Sequence, residues 1–200
     1  MLSESGECGG ATHAAAAGAP DEVLARRSGL GDRDTFAEIV SRHGPAIYRY
    51  AFRLLDDPSV VEDCVQEIFA DAWKGLPQFR GDSSLRTWLF TIARNRCYAY
   101  QRHLPSSGSR PHVDIDDVAE LLPDPTTDPA QRSIEHGLLG ALDLALRTLP
   151  PRQRSAWMLR EIEGLTYPEI ATVLSTTADA VRGLLERARA TLATTMEGWR

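Results

Sequence analysis

The chain has 200 residues, of which 42% are hydrophobic and 25% are charged, and its formal net charge is −6. This length and composition allow one or two small domains with packed cores, and the sequence lacks the apolar run of about 20 residues that membrane insertion requires. Its three cysteines, Cys8, Cys64 and Cys97, are widely spaced and have no histidine cluster beside them. This pattern predicts reduced thiols, with neither a disulfide framework nor a metal site.

The N-terminal segment, residues 1–33, is rich in alanine, glycine and serine and shows no sustained amphipathic period. Such a composition predicts a disordered tail. The segment also lacks the basic start and strong apolar stretch of a signal peptide, so we expect a cytoplasmic protein.

The negative charge is concentrated in two segments. Residues 1–35 carry three basic and six acidic side chains, and residues 104–137 carry two and seven. Residues 36–103 and 138–200 are close to neutral, with nine against eight and eight against seven. The sequence therefore predicts two near-neutral modules beside acidic, flexible parts.

The first module, residues 34–103, is predicted to be an all-α bundle. Its apolar residues recur at helical spacing, with a break or kink at Gly44-Pro45. A second helix ends near Gly75, and a turn-rich loop leads to a third helix over residues 84–103. We find no alternating strand pattern, which favours an all-α fold class.

An acidic, proline-rich linker is predicted for residues 104–133, and a second helical module for residues 134–198. Within that module, Pro150-Pro151 separates two helices and Gly164 closes the second of them. Two helical modules on a flexible acidic tether are therefore expected.

The stretch LTYPEIATVLSTTADAVRGLLERARATL, residues 165–192, predicts a helix-turn-helix. Thr166 and Glu169 have the spacing of a capping box, and residues 175–177 supply a turn and a new N-cap. In the second helix, four apolar residues repeat with the spacing of a core-facing stripe: Val181, Leu185, Ala188 and Leu192.

The opposite side of that second helix could enter a DNA major groove. Thr176 and Thr177 could donate to phosphates at the start of the helix. Five residues point away from the core stripe: Asp179, Arg182, Gly183, Glu186 and Arg187. The same pattern also fits an ordinary helical hairpin, and so few cations predict modest DNA affinity for the module alone.

Residues 79–103 combine five arginines with aromatic side chains and one acid, Asp82. Basic groups between aromatics suit a single strand, whose bases stack while its phosphates are neutralised. In the alternative interpretation, Trp88 is a core residue and the arginines form a solvated face.

The preceding helix has the opposite charge. Asp63, Glu67 and Asp71 recur at every fourth position and share one face with Gln66 nearby. The sequence contains no nucleophile–base pair, glycine-rich phosphate loop or His-x-x-x-His motif beside them. We therefore expect a docking face for a basic protein partner, and neither an enzyme nor a cofactor.

Three stretches of the sequence together resemble the extracytoplasmic-function (ECF, group IV) sigma factors of bacteria. They are EDCVQEIFADAW, FRGDSSLRTWLFTIARNR and LPPRQRSAWMLREIEGLTYPEIA. The resemblance covers residues 34–103 and 134–196. It implies a two-domain, all-helical initiation factor that binds the clamp and flap regions of core RNA polymerase and directs it to promoter DNA. It also implies an inhibitory anti-sigma protein as a partner.

The resemblance assigns roles to three sets of residues. The docking face for core polymerase comprises Asp63, Gln66 and Glu67. The −10 surface, which captures and melts promoter DNA, comprises Phe79, Arg80, Asp82, Ser83, Arg86, Trp88, Arg94 and Asn95. The −35 face comprises Thr176, Thr177, Arg182, Gly183, Glu186 and Arg187.

Three positions depart from the family pattern. Family members usually carry an acid at the position of Ala99 and a basic residue at the position of Leu184, and often a serine at the position of Gly183. A promoter preference therefore cannot be transferred to this chain.

Two alternatives remain at this stage. One is a stand-alone helix-turn-helix regulator that binds operator DNA as a symmetric dimer. The other is an interaction protein that sequesters a partner through its helical bundle. The first lacks an obvious dimerisation helix and leaves the first module without a purpose, and the arginine–aromatic stretch argues against the second.

Overall fold

The computed structural model describes residues 18–55, 57–103 and 140–197. These residues form helices and turns without a strand, which confirms the predicted all-α class. The predicted linker and the tail up to residue 17 lie outside the described residues.

The described part of the first module contains four α-helices. They are α1, Asp21–Gly29; α2, Arg33–Leu55; α3, Pro58–Gly75; and α4, Leu85–His103, with a short 3₁₀ turn, Leu76–Gln78, after α3. The Asp57 carboxylate caps α3 by accepting from the Ser59 backbone N–H at 3.1 Å. Ser84 does the same for α4 through the Thr87 N–H, also at 3.1 Å. The predicted starts of these two helices follow from these caps.

The described part of the second module, residues 140–197, also contains four helices. They are α5, residues 140–147; α6, Pro151–Trp157, which continues as a π-helical turn over Met158–Ile162; α7, Tyr167–Leu174; and α8, Ala178–Thr195. The predicted helix-turn-helix corresponds to α7 and α8. Ser175 forms the turn in the left-handed conformation, with φ of 49°.

Helix α1 corrects the prediction of a disordered tail for residues 18–33. Leu24 is fully buried against the first module, and the hydroxyl groups of Ser28 and Thr35 lie 2.9 Å apart. Arg27 closes the following turn through an ion pair with Asp32 at 2.7 Å. A helix of nine residues is too short for a clear periodic signal, and tertiary packing stabilises it.

Helix α2 runs without interruption through Gly44 and Pro45, so of the predicted break or kink at these residues the break is wrong. Pro45 is exposed, while Ile39 and Ile47 are buried on either side of it. Burial of one apolar face along the whole helix therefore outweighs the hydrogen bond that proline cannot donate.

The predicted capping box at the start of α7 is confirmed. The Thr166 N–H donates to Glu169 Oε2 at 2.8 Å, and the Glu169 N–H donates to Thr166 Oγ1 at 3.4 Å. The hydrogen bond from the Thr166 hydroxyl is the main cause that lowers the pKa of Glu169 below its usual value. The stabilisation from the ionised carboxylate is therefore present at neutral pH and is lost as the pH falls through that lowered pKa.

Replacing Thr166 by alanine is expected to lower the free energy of unfolding by about 1 kcal/mol at neutral pH, because α7 loses its N-cap. Chemical denaturation followed by circular dichroism measures the change. Thr172→Ala is the matched control, since that exposed hydroxyl bonds only the Pro168 carbonyl oxygen among the described contacts. Equal losses for the two variants, or an undiminished Thr166 effect in acid, would contradict this role of the capping box.

The two modules pack against each other, and both contribute to one continuous hydrophobic core. Tyr50 of α2 is fully buried, and its hydroxyl oxygen lies 2.5 Å from that of Ser155 in α6. Burial raises the pKa of Tyr50 well above its ordinary value, which keeps the phenol neutral. Nearby, the Arg154 guanidinium donates to the Arg53 carbonyl oxygen at 3.0 Å.

Candidate nucleic-acid interface

The docking face lies on the outside of α3. Asp63, Gln66 and Glu67 are all exposed there. The Arg96 guanidinium of α4 reaches this helix, donating to Glu67 Oε2 at 3.0 Å and forming an ion pair with Asp71. It thereby offsets the repulsion between two acids that recur at helical spacing. Sequence reasoning missed this partner, because it assigned the arginines of α4 to nucleic acid as a group.

Arg96 leaves the N-terminal half of the acidic face uncovered. The hydrogen bond that Arg96 donates to the Asp71 carboxylate is the main cause that raises the pKa of Arg96. Among the described residues, no group of three histidine, cysteine or acidic side chains has an arrangement that could hold a metal ion. The face presents exposed carboxylates, and its role in docking a basic protein surface stays a prediction.

Trp88 is partly packed in the core and partly accessible to solvent. It is half-buried, its ring centroid lies 5.1 Å from that of Phe79, and a Cβ at Gly75 would come within 2.9 Å of its ring. The neighbouring loop stays open, with Arg80 and Asp82 exposed. The packing interpretation of Trp88 is therefore supported in part, since Phe79 and Gly75 lie against a ring that is half-buried, and its stacking on DNA stays a prediction.

The arginines of the −10 surface are divided between solvent and the second module. Arg86 forms an ion pair with Glu163 at 2.8 Å. Arg94 donates to the Val173 carbonyl oxygen at 2.9 Å and to the Ser175 hydroxyl at 2.7 Å. Asn95, one residue further along α4, is exposed. The structure therefore places the predicted −10 residues on neighbouring elements, but the second module covers two of their cations.

An open groove of ≈ 560 Å³ follows the C-terminal half of α4. Its lining is polar and basic, and comprises Arg94, Asn95, Tyr98, Gln101, Arg102 and Pro151. The Gln101 amide donates to the Leu54 carbonyl oxygen at 2.6 Å and is held in place. The groove continues along the face of α4 that carries the predicted −10 residues Arg94 and Asn95, because its lining side chains on α4 recur at helical spacing.

The −35 face lies on the outside of α8. The Thr177 side chain caps this helix by accepting from the Ala180 N–H at 3.2 Å, and Thr176 is half-buried in the turn. Arg182 is exposed and bonds Asp179 at 2.9 Å. Glu186 and Arg187 are also exposed, so the exposed charges on this face balance.

Two of the departures from the family pattern on α8 have a structural context. Leu184 is half-buried and packs against the core, so it does not belong to the outward face. A Cβ at Gly183 would lie 3.3 Å from the Arg187 guanidinium, which occupies the space beside this glycine. The core stripe of α8 is buried as predicted.

A buried acid, Glu163, was missed by sequence reasoning. Its side chain is 1% exposed and pairs with Arg86 at 2.8 Å and Arg49 at 3.3 Å. Both arginines belong to the first module. A glutamate before Gly164 reads in sequence as part of a solvated turn, so its burial depends on contacts that only the fold creates.

Membrane insertion has no support among the described helices, since none has the length and apolar character needed to cross a bilayer.

Comparison with known proteins relates both modules to RNA polymerase sigma factors. The Sigma-70 region 2 family model matches residues 39–104, and the Sigma-70, region 4 model matches residues 139–192. ECF RNA polymerase sigma factor SigG of Mycobacterium tuberculosis is 36% identical over 194 residues, covering 86% of this chain and 52% of SigG. The chain therefore spans about half the length of that relative.

Two further matches cover most of both chains. RNA polymerase sigma-H factor of Pseudomonas aeruginosa is 34% identical over 177 residues, which is 84% of this chain and 90% of that protein. The solved structure of CnrH in complex with the cytosolic domain of CnrY superposes with a TM-score of 0.66 at 28% identity. It covers 89% of this chain and 97% of the matched chain.

Proposed function

The chain belongs to the extracytoplasmic-function sigma factors, and we propose that it binds core RNA polymerase and directs promoter recognition, DNA melting and transcription initiation in the cytoplasm. The observation that carries this proposal is the presence of both sigma modules, in order, on one chain. The protein has no catalytic step of its own in this role. A stand-alone regulator is not favoured, because it would need only the second module.

We propose that polymerase binds at the docking face. Asp63 and Gln66 are exposed on α3, and Glu67 lies beside them with its carboxylate shared with Arg96. An acidic face of this kind suits a basic groove, because opposite charges speed encounter and fix orientation.

We propose that promoter DNA at −10 is captured by the open loop with Phe79 and Arg80, by Trp88 and by the exposed side of α4. Extruding a base from the stack costs a few kcal/mol, which aromatic stacking and a basic groove can offset. Arg86 and Arg94 would join this surface once the second module moves away from them.

We propose that the −35 element is read by the outward face of α8. Because its exposed charges balance, few counterions are released on binding and the module alone binds DNA weakly. Its position on the promoter would therefore be fixed by polymerase held through the first module.

An inhibitory protein partner is also proposed. CnrH, one of the structural neighbours, was solved in complex with the cytosolic domain of CnrY. An anti-sigma protein of this chain would be detected by co-purification with the full-length protein.

A binding selection tests the proposed function. Duplex DNA of random sequence is incubated with the chain alone, with core polymerase alone and with both, and bound DNA is sequenced. We expect enrichment of a two-part motif only when both proteins are present. Enrichment of a palindrome by the chain alone would support the operator-binding regulator instead.

Replacing Asn95 by alanine is expected to reduce promoter opening by the polymerase complex about tenfold, because an asparagine–base contact contributes about 1–3 kcal/mol. Asn95 is exposed, so the fold should be unaffected. Permanganate reactivity of unpaired thymines measures opening. Gln78→Ala, an exposed amide on the 3₁₀ turn, is the control. Equal opening by the two variants would remove Asn95 from the −10 surface.

A further inference from the structure

Arg94 is bound by the turn of the helix-turn-helix. Its Nε–H donates to the Val173 carbonyl oxygen at 2.9 Å, and its Nη2 donates to the Ser175 hydroxyl at 2.7 Å. The last carbonyl groups of a helix lack intrahelical partners and lie at the negative end of its dipole. The guanidinium therefore caps the C-terminal end of α7 with the same donors that a DNA phosphate would engage.

Glu163 is a second acceptor in the second module that binds an arginine of the −10 surface, Arg86. Its side chain is 1% exposed, and its two described ion pairs, with Arg49 and Arg86, both cross between the modules. A buried carboxylate is tolerated only when it is paired and hydrogen-bonded. Glu163 is therefore compensated by charges that separation of the modules would remove.

Further acceptors of the second module face the first. Glu169 Oε1 accepts from the Thr87 hydroxyl at 3.3 Å, and Asp143 accepts from Arg53 Nε at 2.9 Å. The exposed side of α8 takes no part in these contacts, since Arg182 and Arg187 remain exposed. The arrangement thus covers part of the −10 surface and leaves the −35 face open.

We propose that the second module is an intramolecular competitor of −10 DNA, in which Glu163 and the C-terminal end of α7 occupy Arg86 and Arg94 until the modules separate. This inference rests on the proposed function, because it concerns the regulation of the −10 surface. DNA and the second module cannot hold the same guanidinium groups at once. Any ligand that binds the separated form better shifts the population towards it.

Two substitutions with opposite charge changes test the competition. Glu163→Gln removes a negative charge, and Arg49→Gln removes a positive one, yet both weaken the same contact between the modules. Neither residue belongs to the docking face, the −10 surface or the −35 face. A general electrostatic effect would move DNA affinity in opposite directions, whereas opening moves it upward in both variants.

The experiment uses the full-length chain without polymerase. Fluorescence anisotropy measures binding to a labelled single-stranded DNA oligonucleotide of mixed sequence, and small-angle X-ray scattering measures the radius of gyration. We expect both variants to bind about tenfold more tightly than the wild type, which corresponds to about 1.4 kcal/mol, and to have a larger radius. Glu161→Gln is the matched control, because this exposed acid on the same turn pairs with Arg189 within the second module at 2.7 Å.

Opposite shifts in the two variants, or unchanged affinity and radius, would overturn the competition. If circular dichroism shows that either variant has lost its fold, Asp143→Asn is used in its place. This substitution breaks the contact with Arg53, and we expect the same increases in DNA affinity and radius. Run-off transcription with core polymerase keeps the two proposals apart. If the wild-type chain initiates transcription but the variants show no increase in DNA affinity or radius of gyration, only the competition is refuted. If the variants show both increases but no chain initiates transcription, only the proposed function is refuted.

Discussion

Replacing Leu24 by alanine is expected to lower the free energy of unfolding by about 2–5 kcal/mol, although the sequence places this residue in a predicted tail. The side chain is fully buried in the core that α1 shares with the rest of the first module. Truncation would leave a cavity that the surrounding helices cannot fill without moving. Urea denaturation followed by circular dichroism measures the loss.

Leu30→Ala is the matched control for Leu24, since Leu30 directly follows the same helix and is 86% exposed. We expect it to change the free energy of unfolding by less than about 0.5 kcal/mol. If the two leucine variants were equally stable, α1 would contribute nothing to the module, and the first module would begin at α2 as the sequence predicted.

Replacing Asp63 by arginine is expected to weaken binding to core RNA polymerase by about a hundredfold, the second large effect. The substitution reverses a charge on the docking face, and like charges facing each other across an interface cost several kcal/mol. Asp63 is exposed, so the stability of the chain should not change. Biolayer interferometry with immobilised core polymerase measures the affinity.

Glu22→Arg makes the same charge change at an exposed position on α1 and serves as the control for Asp63. Its polymerase affinity should match that of the wild type. Wild-type affinity in Asp63→Arg as well would show that polymerase binds the chain elsewhere, and the docking face would have to be abandoned.

The sequence predicted the elements whose signals are local. The capping box of Thr166 and Glu169, and the core stripe of α8, each depend on spacings within one helix, and both are present. Helix α1 was not predicted, because its nine residues bury mainly Leu24 and Ala25, and two apolar residues are too few to establish a helical period. The predicted break at Pro45 was wrong, because burial of one face along the whole of α2 outweighed the tendency of proline to interrupt a helix.

The candidate site shows the same division between local and long-range signals. Exposure of Asp63 followed from the acidic helical face that it shares with Glu67 and Asp71, whereas the family resemblance assigned Asn95. The partners of Arg86, Arg94 and Arg96 could not be predicted from the sequence, because each contact joins residues far apart in the chain. Charge counting identified a basic stretch, but it could not show which arginines already had acidic partners.

The central claim, that this chain gives core RNA polymerase its promoter specificity, is tested most directly by run-off transcription. Full-length protein and core polymerase are mixed with a promoter library, and the transcripts are sequenced. We predict transcripts that require both proteins and that start downstream of one shared motif with a −35 and a −10 part. Transcription that is independent of the chain, or no initiation on any template, would contradict the claim.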